Sequence, residues 1–336
     1  MSNSHPSAGP GLLVINSQEV RRALPMAACI AAIERAMRAF SRAEANVPLR
    51  TIFALPNGRD FFGVMPGYLG EPSALGAKIL TVYPENAQRG LSSHVGLVVL
   101  FDVGMGHPVA VMDAGMITAL RTAAASAVAT RALARPEAAD LAILGTGEQA
   151  LTHLEALALA RSLRKVRIWG RSLEKARKFA EEQGARLSLD IEVCESADAA
   201  VAGADMVCTV TAAREPILRG AMLARGAHVN LVGSSRLTAR EADDEVVARS
   251  RFFVDSRTSA AAEAAELRHA RDAGLVSEGH VLGEIGEVLN GRIAGRTGHD
   301  EVTVYKSLGI AVQDLAAASA IYERAARDHI GTRVPF

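Results

Sequence analysis

A glycine-rich turn after an apolar run is the first feature of this sequence with a recognisable chemistry. The turn follows Leu141–Leu144 and precedes a leucine-rich helical segment. Glycine at 145 permits a tight turn, glycine at 147 lets backbone amides approach a pyrophosphate, and alanine at 150 lets helix and strand pack closely. The pattern predicts dinucleotide binding, with a plain structural turn as the alternative. The predicted contacts are Gly145, Thr146, Gly147, Glu148, Gln149 and Ala150.

The end of the next apolar run, Val166–Trp169, indicates which dinucleotide is bound. NAD enzymes usually place an Asp or Glu here, which accepts hydrogen bonds from the ribose hydroxyls. The residues present are Gly170, Arg171 and Ser172, with Lys175 close behind. A guanidinium matches a 2′-phosphate, so we predict NADPH, with NADH as the alternative cofactor and a solvated loop cation as the alternative role of Arg171. We also assign to the cofactor site Thr209, Val232, Gly233 and Ser234.

Three cations interrupt apolar stretches in the first third of the chain. Arg50 follows Val-Pro-Leu, Lys78 lies within Leu-Gly-Ala-Lys-Ile-Leu, and Arg121 breaks an Ala/Thr-rich helical run. A buried cation needs a partner, because burying it alone is costly. An internal carboxylate and an anionic ligand satisfy this need equally well, and Asp102 or Asp113 is the internal partner we expect for Arg121. His94 is a further polar candidate, although a lone histidine is more often structural.

The elements that position these residues change character along the chain. A short helix capped by Ser17 and a longer one opened by Pro25 come first. Five runs rich in β-forming residues then predict a mostly antiparallel sheet. These runs are Thr51–Leu55, Asp60–Met65, Ala74–Tyr83, Gly96–Asp102 and Pro108–Met112. An alanine-rich helix, 114–134, follows and ends near Pro136.

From Ala138 onwards apolar strands alternate with helices, which predicts a parallel sheet covered on both faces. The strands are expected at 141–144, 166–169, 190–194, 206–210, 228–232 and 252–255. A last helix, about 312–327, has no strand after it, so we expect the chain to return to the first domain. The predicted fold is α/β: a Rossmann-type domain of residues 124–305 is inserted into an α+β domain of residues 1–123 and 306–336.

Composition excludes several other classes of protein. The 336 residues include 37 Lys plus Arg and 37 Asp plus Glu, so no overall field favours nucleic acid or an anionic membrane. The sequence has no apolar run long enough to predict a membrane span, and Met1–Gly11 is interpreted as a frayed tail and not as a signal peptide. The three cysteines form no CxxC pair, which favours reduced thiols in a cytoplasmic protein. We predict no metal site.

Five segments resemble the ornithine cyclodeaminase/mu-crystallin family in order and spacing, from about residue 12 to 325. They are residues 92–97, 116–126, 145–150, 283–287 and 303–309. The resemblance implies a homodimer whose strand-rich, substrate-binding domains pair, with the active site in the cleft between the two domains. It further implies that Arg50, Lys78 and Arg121 hold the carboxylate of an α-amino or α-imino acid, which favours a ligand over an internal carboxylate.

One departure from the family pattern narrows the implied reaction. Cyclodeaminases and the related alanine dehydrogenases carry an Asp just after the glycine that corresponds to Gly233, whereas here Ser234, Ser235 and Arg236 follow. With Arg240–Asp244 behind it, the segment looks like the ketimine reductase branch. The alternative is that another acid, Glu241 or Asp243, replaces the missing one.

The resemblance therefore implies an NAD(P)H-dependent reductase of small cyclic α-imino acids, Δ1-pyrroline-2-carboxylate or Δ1-piperideine-2-carboxylate. L-Proline or L-pipecolate would be the product. We expect Lys78, Arg121 and Ser235 to be catalytic, and Arg50 and His94 to bind substrate with them. The alternative hypotheses are an ornithine or lysine cyclodeaminase, an amino-acid dehydrogenase, and a protein that binds NADPH and a small acid without turnover.

Overall fold

The computed structural model describes residues 11–90 and 92–336, which form two eight-stranded sheets, one in each of two units. The first unit contains the described residues up to Arg121 together with Ile310–Phe336, and the second contains Thr122–Gly309. The chain therefore leaves the first unit and returns to it. Residues 1–10 of the predicted tail lie outside the described residues.

The sheet of the first unit is antiparallel except at its first strand. Its strands are β1 (Leu12–Ile15), β2 (Ala45–Asn46), β3 (Thr51–Ala54), β4 (Phe61–Leu69), β5 (Ala74–Val82), β6 (His94–Phe101), β7 (Pro108–Asp113) and β16 (Thr332–Val334). They run in the order β16-β1-β7-β6-β5-β4-β2, and β3 pairs with β4. β1 pairs parallel to β7 and antiparallel to β16. The expectation that no strand follows the last helix is therefore wrong, because β16 closes one edge of this sheet.

Helices cover one face of this sheet. They are α1 (Ser17–Ala23), α2 (Met26–Ser41), the first part of α3 (Ala114–Leu133) and α11 (Ala311–Asp328). The cap of α1 is Asn16 rather than the predicted Ser17, because the Asn16 side chain accepts from the Glu19 amide while the Glu19 carboxylate accepts from the Asn16 amide. α11 packs on β4, β5 and β6, and α2 packs on α11. A Cβ at Gly76 would lie only 3.1 Å from Leu315 Cδ2, so glycine there permits the close approach.

The sheet of the second unit is parallel throughout, as predicted. Its strands are β8 (Asp140–Leu144), β9 (Lys165–Trp169), β10 (Ile191–Val193), β11 (Met206–Thr209), β12 (His228–Leu231), β13 (Ser250–Val254), β14 (Val281–Glu284) and β15 (Val302–Lys306). The order β10-β9-β8-β11-β12-β15-β13-β14 reverses direction at β8, where a doubly wound fold binds its ligand. β14 and β15 were not predicted, although β15 is buried along its whole length.

The helices of the second unit alternate with these strands. They are the remainder of α3, α4 (Glu148–Ala160), α5 (Leu173–Leu187), α6 (Ala197–Val201), α7 (Asp244–Ala248), α8 (Arg257–Glu263), α9 (Ala265–Asp272) and α10 (Ile285–Leu289). Apolar side chains of the sheet and helices form its core, with Val207, Val229 and Phe252 fully buried. Among the described residues, no helix is both long and apolar enough to cross a membrane.

Candidate active site

A buried ionic cluster lies on the covered face of the first sheet. We call it the first-unit cluster, and it consists of Lys78, Arg121, Gln313 and Asp314. Lys78 Nζ and Arg121 Nε donate to the same oxygen, Asp314 Oδ1, at 2.9 and 3.0 Å. Arg121 Nη1 donates to Gln313 Oε1 at 2.8 Å. Each of the four residues is at most 5% exposed. Two cations therefore share one carboxylate away from water.

The hydrogen bonding of this cluster is incomplete. Asp314 Oδ2 and Gln313 Nε2 are buried and make no hydrogen bond with any described residue. Lys78 Nζ has one other contact, to Thr118 Oγ1 at 3.3 Å, and no described residue accepts a hydrogen bond from Arg121 Nη2. Buried polar groups normally find partners, because an unsatisfied one costs about 1–3 kcal/mol. A polar ligand would complete the set.

The internal partner of Arg121 is not the one expected from the sequence. Asp102 Oδ1 accepts from the amides of Gly104 and Met105, and Asp113 Oδ1 accepts from the amide of Met116. Both carboxylates thus stabilise local turns. Asp314 takes the role instead, from the first turn of α11. The signal that could have found it is the one used for the cations, since a carboxylate between Val312 and Leu315 interrupts an apolar helix face.

The three predicted cations interact electrostatically. Burial lowers the pKa of Lys78 to about 8, Asp314 opposes that shift, and the charges of Arg121 and Arg50 add to it. Arg50, which is half-buried and directly precedes β3, thus acts on Lys78. His94 lies farther off: it is exposed and pairs with Val82, four residues and about 13 Å along β5 from Lys78. Its Nδ1 lies 3.0 Å from Ser93 Oγ.

The glycine-rich turn of the second unit has the geometry of a phosphate-binding loop. Gly145 has φ +131°, and a Cβ there would lie 2.8 Å from Val210 O, so only glycine is accommodated. Gly147 is the N-cap of α4, and no side chain caps this helix. The Ala150 amide donates to Gly147 O at 3.0 Å, while the amides before it in the first turn point out of the helix end, where the helix dipole attracts anions.

The segment Gly170–Ser172 lies against this turn. A Cβ at Gly170 would meet Thr146 Cγ2 at 2.7 Å, so the two turns are in contact. Ser172 is the N-cap of α5 and accepts from the amide of Lys175 at 3.3 Å. Arg171 and Lys175 are exposed, and neither is ion-paired with a described residue. Two cations thus stand beside the phosphate-binding turn.

The acids that follow Ser235 hold the backbone and are not available for proton transfer. Glu241 is buried and accepts four hydrogen bonds. Its Oε2 accepts from Thr209 Oγ1 at 2.6 Å and from the Gly233 amide at 2.7 Å. Its Oε1 accepts from both the amide and the hydroxyl of Thr211. Burial raises the pKa of Glu241, and the threonine hydrogen bonds oppose that rise. Asp243 caps α7 and accepts from the Gly220 amide. The hypothesis that either acid replaces the missing aspartate is not supported by these contacts.

The remaining predicted cofactor residues lie at the carboxyl ends of adjacent strands. Thr209 ends β11, and Val232, Gly233 and Ser234 follow β12 directly. Ser234 is buried and its hydroxyl lies within hydrogen-bonding distance of the carbonyls of Arg236 and Ala239, so it shapes the loop that carries half-buried Ser235. In parallel sheets this edge is where ligands bind.

A cavity elsewhere in the second unit is not the candidate site. Its volume is about 620 Å³ and its lining includes Arg161 and Arg296. Arg161 Nη2 donates to Thr130 O at 3.1 Å and Arg296 Nε to Leu133 O at 2.8 Å, so these guanidiniums cap the end of α3. Within the described residues, no group of three or more His, Cys, Asp or Glu is placed to bind a metal.

Comparison with known proteins identifies the family of this site. The model of the ornithine cyclodeaminase/mu-crystallin family matches residues 12–329. The chain belongs to this family. It is 42% identical to ketimine reductase mu-crystallin of Mus musculus over 82% of this chain and 84% of the relative. The resemblance inferred from the five sequence segments is thereby confirmed.

Two solved structures of the family are similar over almost the whole chain. Δ1-pyrroline-2-carboxylate reductase of Thermococcus litoralis, in complex with NADH and L-proline, has a TM-score of 0.94 and 36% identity, covering 96% of this chain and 100% of that one. An archaeal alanine dehydrogenase dimer with bound NAD has a TM-score of 0.90 and 29% identity, covering 97% and 99%. These similarities confirm the predicted fold, a Rossmann-type unit inserted into an α+β unit.

Proposed function

We propose that this protein is an NAD(P)H-dependent reductase of small cyclic α-imino acids, which converts Δ1-pyrroline-2-carboxylate or Δ1-piperideine-2-carboxylate to L-proline or L-pipecolate. The observation that carries the proposal is the excess of buried cations in the first-unit cluster. Lys78 and Arg121 share one carboxylate, so the anionic end of an imino acid would neutralise the remaining charge. The similarity to a ketimine reductase and to a reductase bound to NADH and L-proline supports it.

In this proposal the substrate carboxylate is held by Arg50, Lys78 and Arg121. Arg121 is fixed through Nε and Nη1 and offers Nη2, while Lys78 keeps one donor beyond its contacts with Asp314 and Thr118. Fixed donors orient the substrate without reorganising, which is the largest contribution that such a site makes to the rate. His94 and Ser235 stay in the proposal as the polar groups that keep the imine nitrogen protonated.

The dinucleotide is proposed to bind in the second unit. Its nicotinamide supplies the hydride. The residues present fit this group: Gly145–Ala150 offers backbone amides to the pyrophosphate, and Arg171 and Lys175 offer unpaired charge to a 2′-phosphate. The Ser172 hydroxyl, which accepts from the Lys175 amide, still has its own proton to donate. Thr209 and Val232–Ser234 would line the nicotinamide half. NADPH is therefore the proposed cofactor, and we expect it to bind at least as well as NADH.

The uncovered face of the first sheet supports a homodimer. The pairing register places Phe53, Tyr68, Val95 and Leu97 on the face opposite Lys78, and each is 37–54% exposed. An apolar sheet face of this kind marks an interface. We propose that it packs against a second copy, and the dimer of the similar archaeal alanine dehydrogenase supports this proposal. Leu97→Lys should then yield a monomer in light scattering after gel filtration.

We also propose that the protein acts in the cytoplasm. The three cysteines, Cys29, Cys194 and Cys208, are buried and free. Burial raises the pKa of Cys29 to about 12 and that of Cys208 well above its ordinary value, so both remain unreactive thiols. Fractionation of expressing cells would test this assignment.

The deciding experiment compares two reactions of the purified protein. We expect imine-dependent NADPH oxidation with Δ1-pyrroline-2-carboxylate or Δ1-piperideine-2-carboxylate, and negligible release of proline and ammonia from L-ornithine with NAD⁺. The physical reason is that ornithine cyclisation needs a positioned carboxylate for its proton transfers, and Ser235 has none. Ser235→Asp should slow imine reduction. Ornithine turnover without imine reduction would overturn the proposal, and tight NADPH binding without any turnover would identify a binding protein.

A further inference from the structure

The first turn of α11 anchors both buried cations of the first-unit cluster. Asp314 and Gln313 are fully buried and neighbours in sequence, and together they accept from Lys78 Nζ, Arg121 Nε and Arg121 Nη1. No side chain caps α11, whose N-cap residue is Ile310. The carboxylate of Asp314 therefore lies in the first turn, where the helix dipole stabilises a negative charge.

We propose that Asp314 is a positioning residue, which keeps Lys78 charged and fixes the guanidinium of Arg121 so that both hold the substrate carboxylate. It acts through these two side chains and does not itself take part in the hydride or proton transfer. The inference rests on the function proposed above.

Geometry supports this role first. A lysine has three donors on a flexible stem, and an arginine held at two of its nitrogens loses most of its freedom. Because one oxygen of Asp314 receives both Nζ and Nε, it sets the separation of the two cations. Without it, Lys78 and Arg121 would repel each other in a site of low dielectric constant, and neither would be held in position.

The charged groups around Lys78 determine what removal of Asp314 does. Asp314 faces it from α11, Arg121 from α3, and Arg50 acts from the segment before β3. The residues paired with Lys78 on β4 and β6 are Met65 and Val98, which carry no charge. On α2, the thiol of Cys29 lies within the field of Arg121, but its raised pKa of about 12 keeps it neutral. Asp314 is thus the anion that opposes the loss of charge on Lys78.

The sign of the pH effect follows from these groups. Burial and the two arginines lower the pKa of Lys78, and Asp314 raises it toward the present value of about 8. Asp314→Asn removes the opposing charge, so the pKa of Lys78 falls further. Lys78 then loses its proton at a lower pH, and the alkaline limb of the kcat/KM profile moves toward acid pH.

The test uses Asp314→Asn, Asp314→Glu and the control Asp328→Asn, in which an exposed aspartate of the same helix, paired with Arg324, is changed. For Asp314→Asn we expect the alkaline limb to move by about one pH unit or more, the scale of removing an adjacent opposite charge. We also expect KM for the imino acid to rise roughly tenfold, as for the loss of a charge-assisted contact. The control should match the wild type in both, and Asp314→Glu should restore the position of the limb.

A direct titration separates this proposal from the proposed function. NMR of the protein with 13C-labelled lysine, assigned with Lys78→Met, reports the pKa of Lys78 whether or not the protein turns over an imino acid. Calorimetry with L-proline in the presence of NADPH reports carboxylate binding without turnover. If the wild type neither reduces imino acids nor binds L-proline, the proposed function has failed, while the titration still decides the role of Asp314.

Two results would overturn the role of Asp314. One is an unchanged Lys78 titration and an unchanged alkaline limb in Asp314→Asn. The other result applies if Asp314→Asn does not fold. Asp314→Glu keeps the negative charge, so a shift of its alkaline limb toward acid pH would contradict the proposal, which attributes that shift to loss of the charge. Thermal unfolding of all variants shows which of them fold.

Discussion

The two units each bury a charge cluster, and the two clusters differ in how their carboxylates are used. In the first unit, one carboxylate oxygen of Asp314 serves Lys78 and Arg121, and its other oxygen has no partner among the described residues. In the second unit, Glu241 accepts four hydrogen bonds with both oxygens. Nearby, Lys306 Nζ lies 3.0 Å from Glu266 Oε2.

This difference indicates that the first-unit cluster is a binding site and that Glu241 has a structural role. Glu241 joins Thr209, Thr211 and the Gly233 amide, so it holds the ends of two strands in register and has no lone pair to offer. The first-unit cluster leaves positive charge and unused donors in the interior. The open donors of the first-unit cluster suit a polar ligand, whereas the fully used carboxylate of Glu241 contributes to stability.

The largest expected effect is a loss of stability when Glu241 in the second unit is replaced. Glu241→Leu leaves four donors without their acceptor, among them the buried Thr209 hydroxyl, so the free energy of unfolding should fall by about 3–5 kcal/mol. Lys78→Met should change it by about 1 kcal/mol or less, because Asp314 keeps Arg121 as a partner. Urea unfolding of both variants measures the contrast. A similar loss in both would mean that the two clusters play the same structural role.

The next effect is catalytic and confined to the first unit. Arg121→Lys keeps the charge but loses the fork that donates to Asp314 and Gln313, so kcat/KM for the imino acid should fall roughly 30- to 150-fold. NADPH affinity should stay at its wild-type value and the variant should still fold, with a modest fall in its unfolding midpoint because Gln313 Oε1 loses its donor. Full activity in this variant would assign Arg121 to structure alone.

A smaller effect is expected on cofactor affinity in the second unit. Arg171→Ala should weaken NADPH binding by about 1–3 kcal/mol, because the 2′-phosphate loses a charge-assisted contact. NADH has no such phosphate, so its affinity serves as the internal control in the same fluorescence titration. Equal weakening of both cofactors would show that Arg171 does not recognise the 2′-phosphate.

The smallest effect is a pH dependence of the wild type. Because the pKa of Lys78 is lowered to about 8, its charge is present below that pH and is lost above it. kcat/KM reports the free enzyme, so it should be level below pH 8 and fall above it. Lys78→Arg, which stays charged, should lack this alkaline limb even if its activity is lower. Persistence of the limb would assign it to the substrate imine or to another group.

The sequence by itself determined the features that depend on neighbouring residues. Gly145–Ala150 could be recognised because a strand, a turn and a helix follow one another within one local unit. Lys78 and Arg121 could be recognised because a cation in an apolar run signals burial whatever the fold. The parallel sheet of the second unit followed from the alternation of strands and helices.

Only the tertiary structure decided which groups meet. Asp314 lies 236 residues from Lys78 in the chain, and nothing local to either residue marks the other as its partner. The same holds for β1 and β16. It also holds for β15, which pairs with β12 although six α-helices and β-strands, from α7 to α10, lie between them in the chain. Each of these pairings is fixed by how sheets and helices pack, because burial makes a charge or a strand edge find a partner in space, however distant it is along the chain.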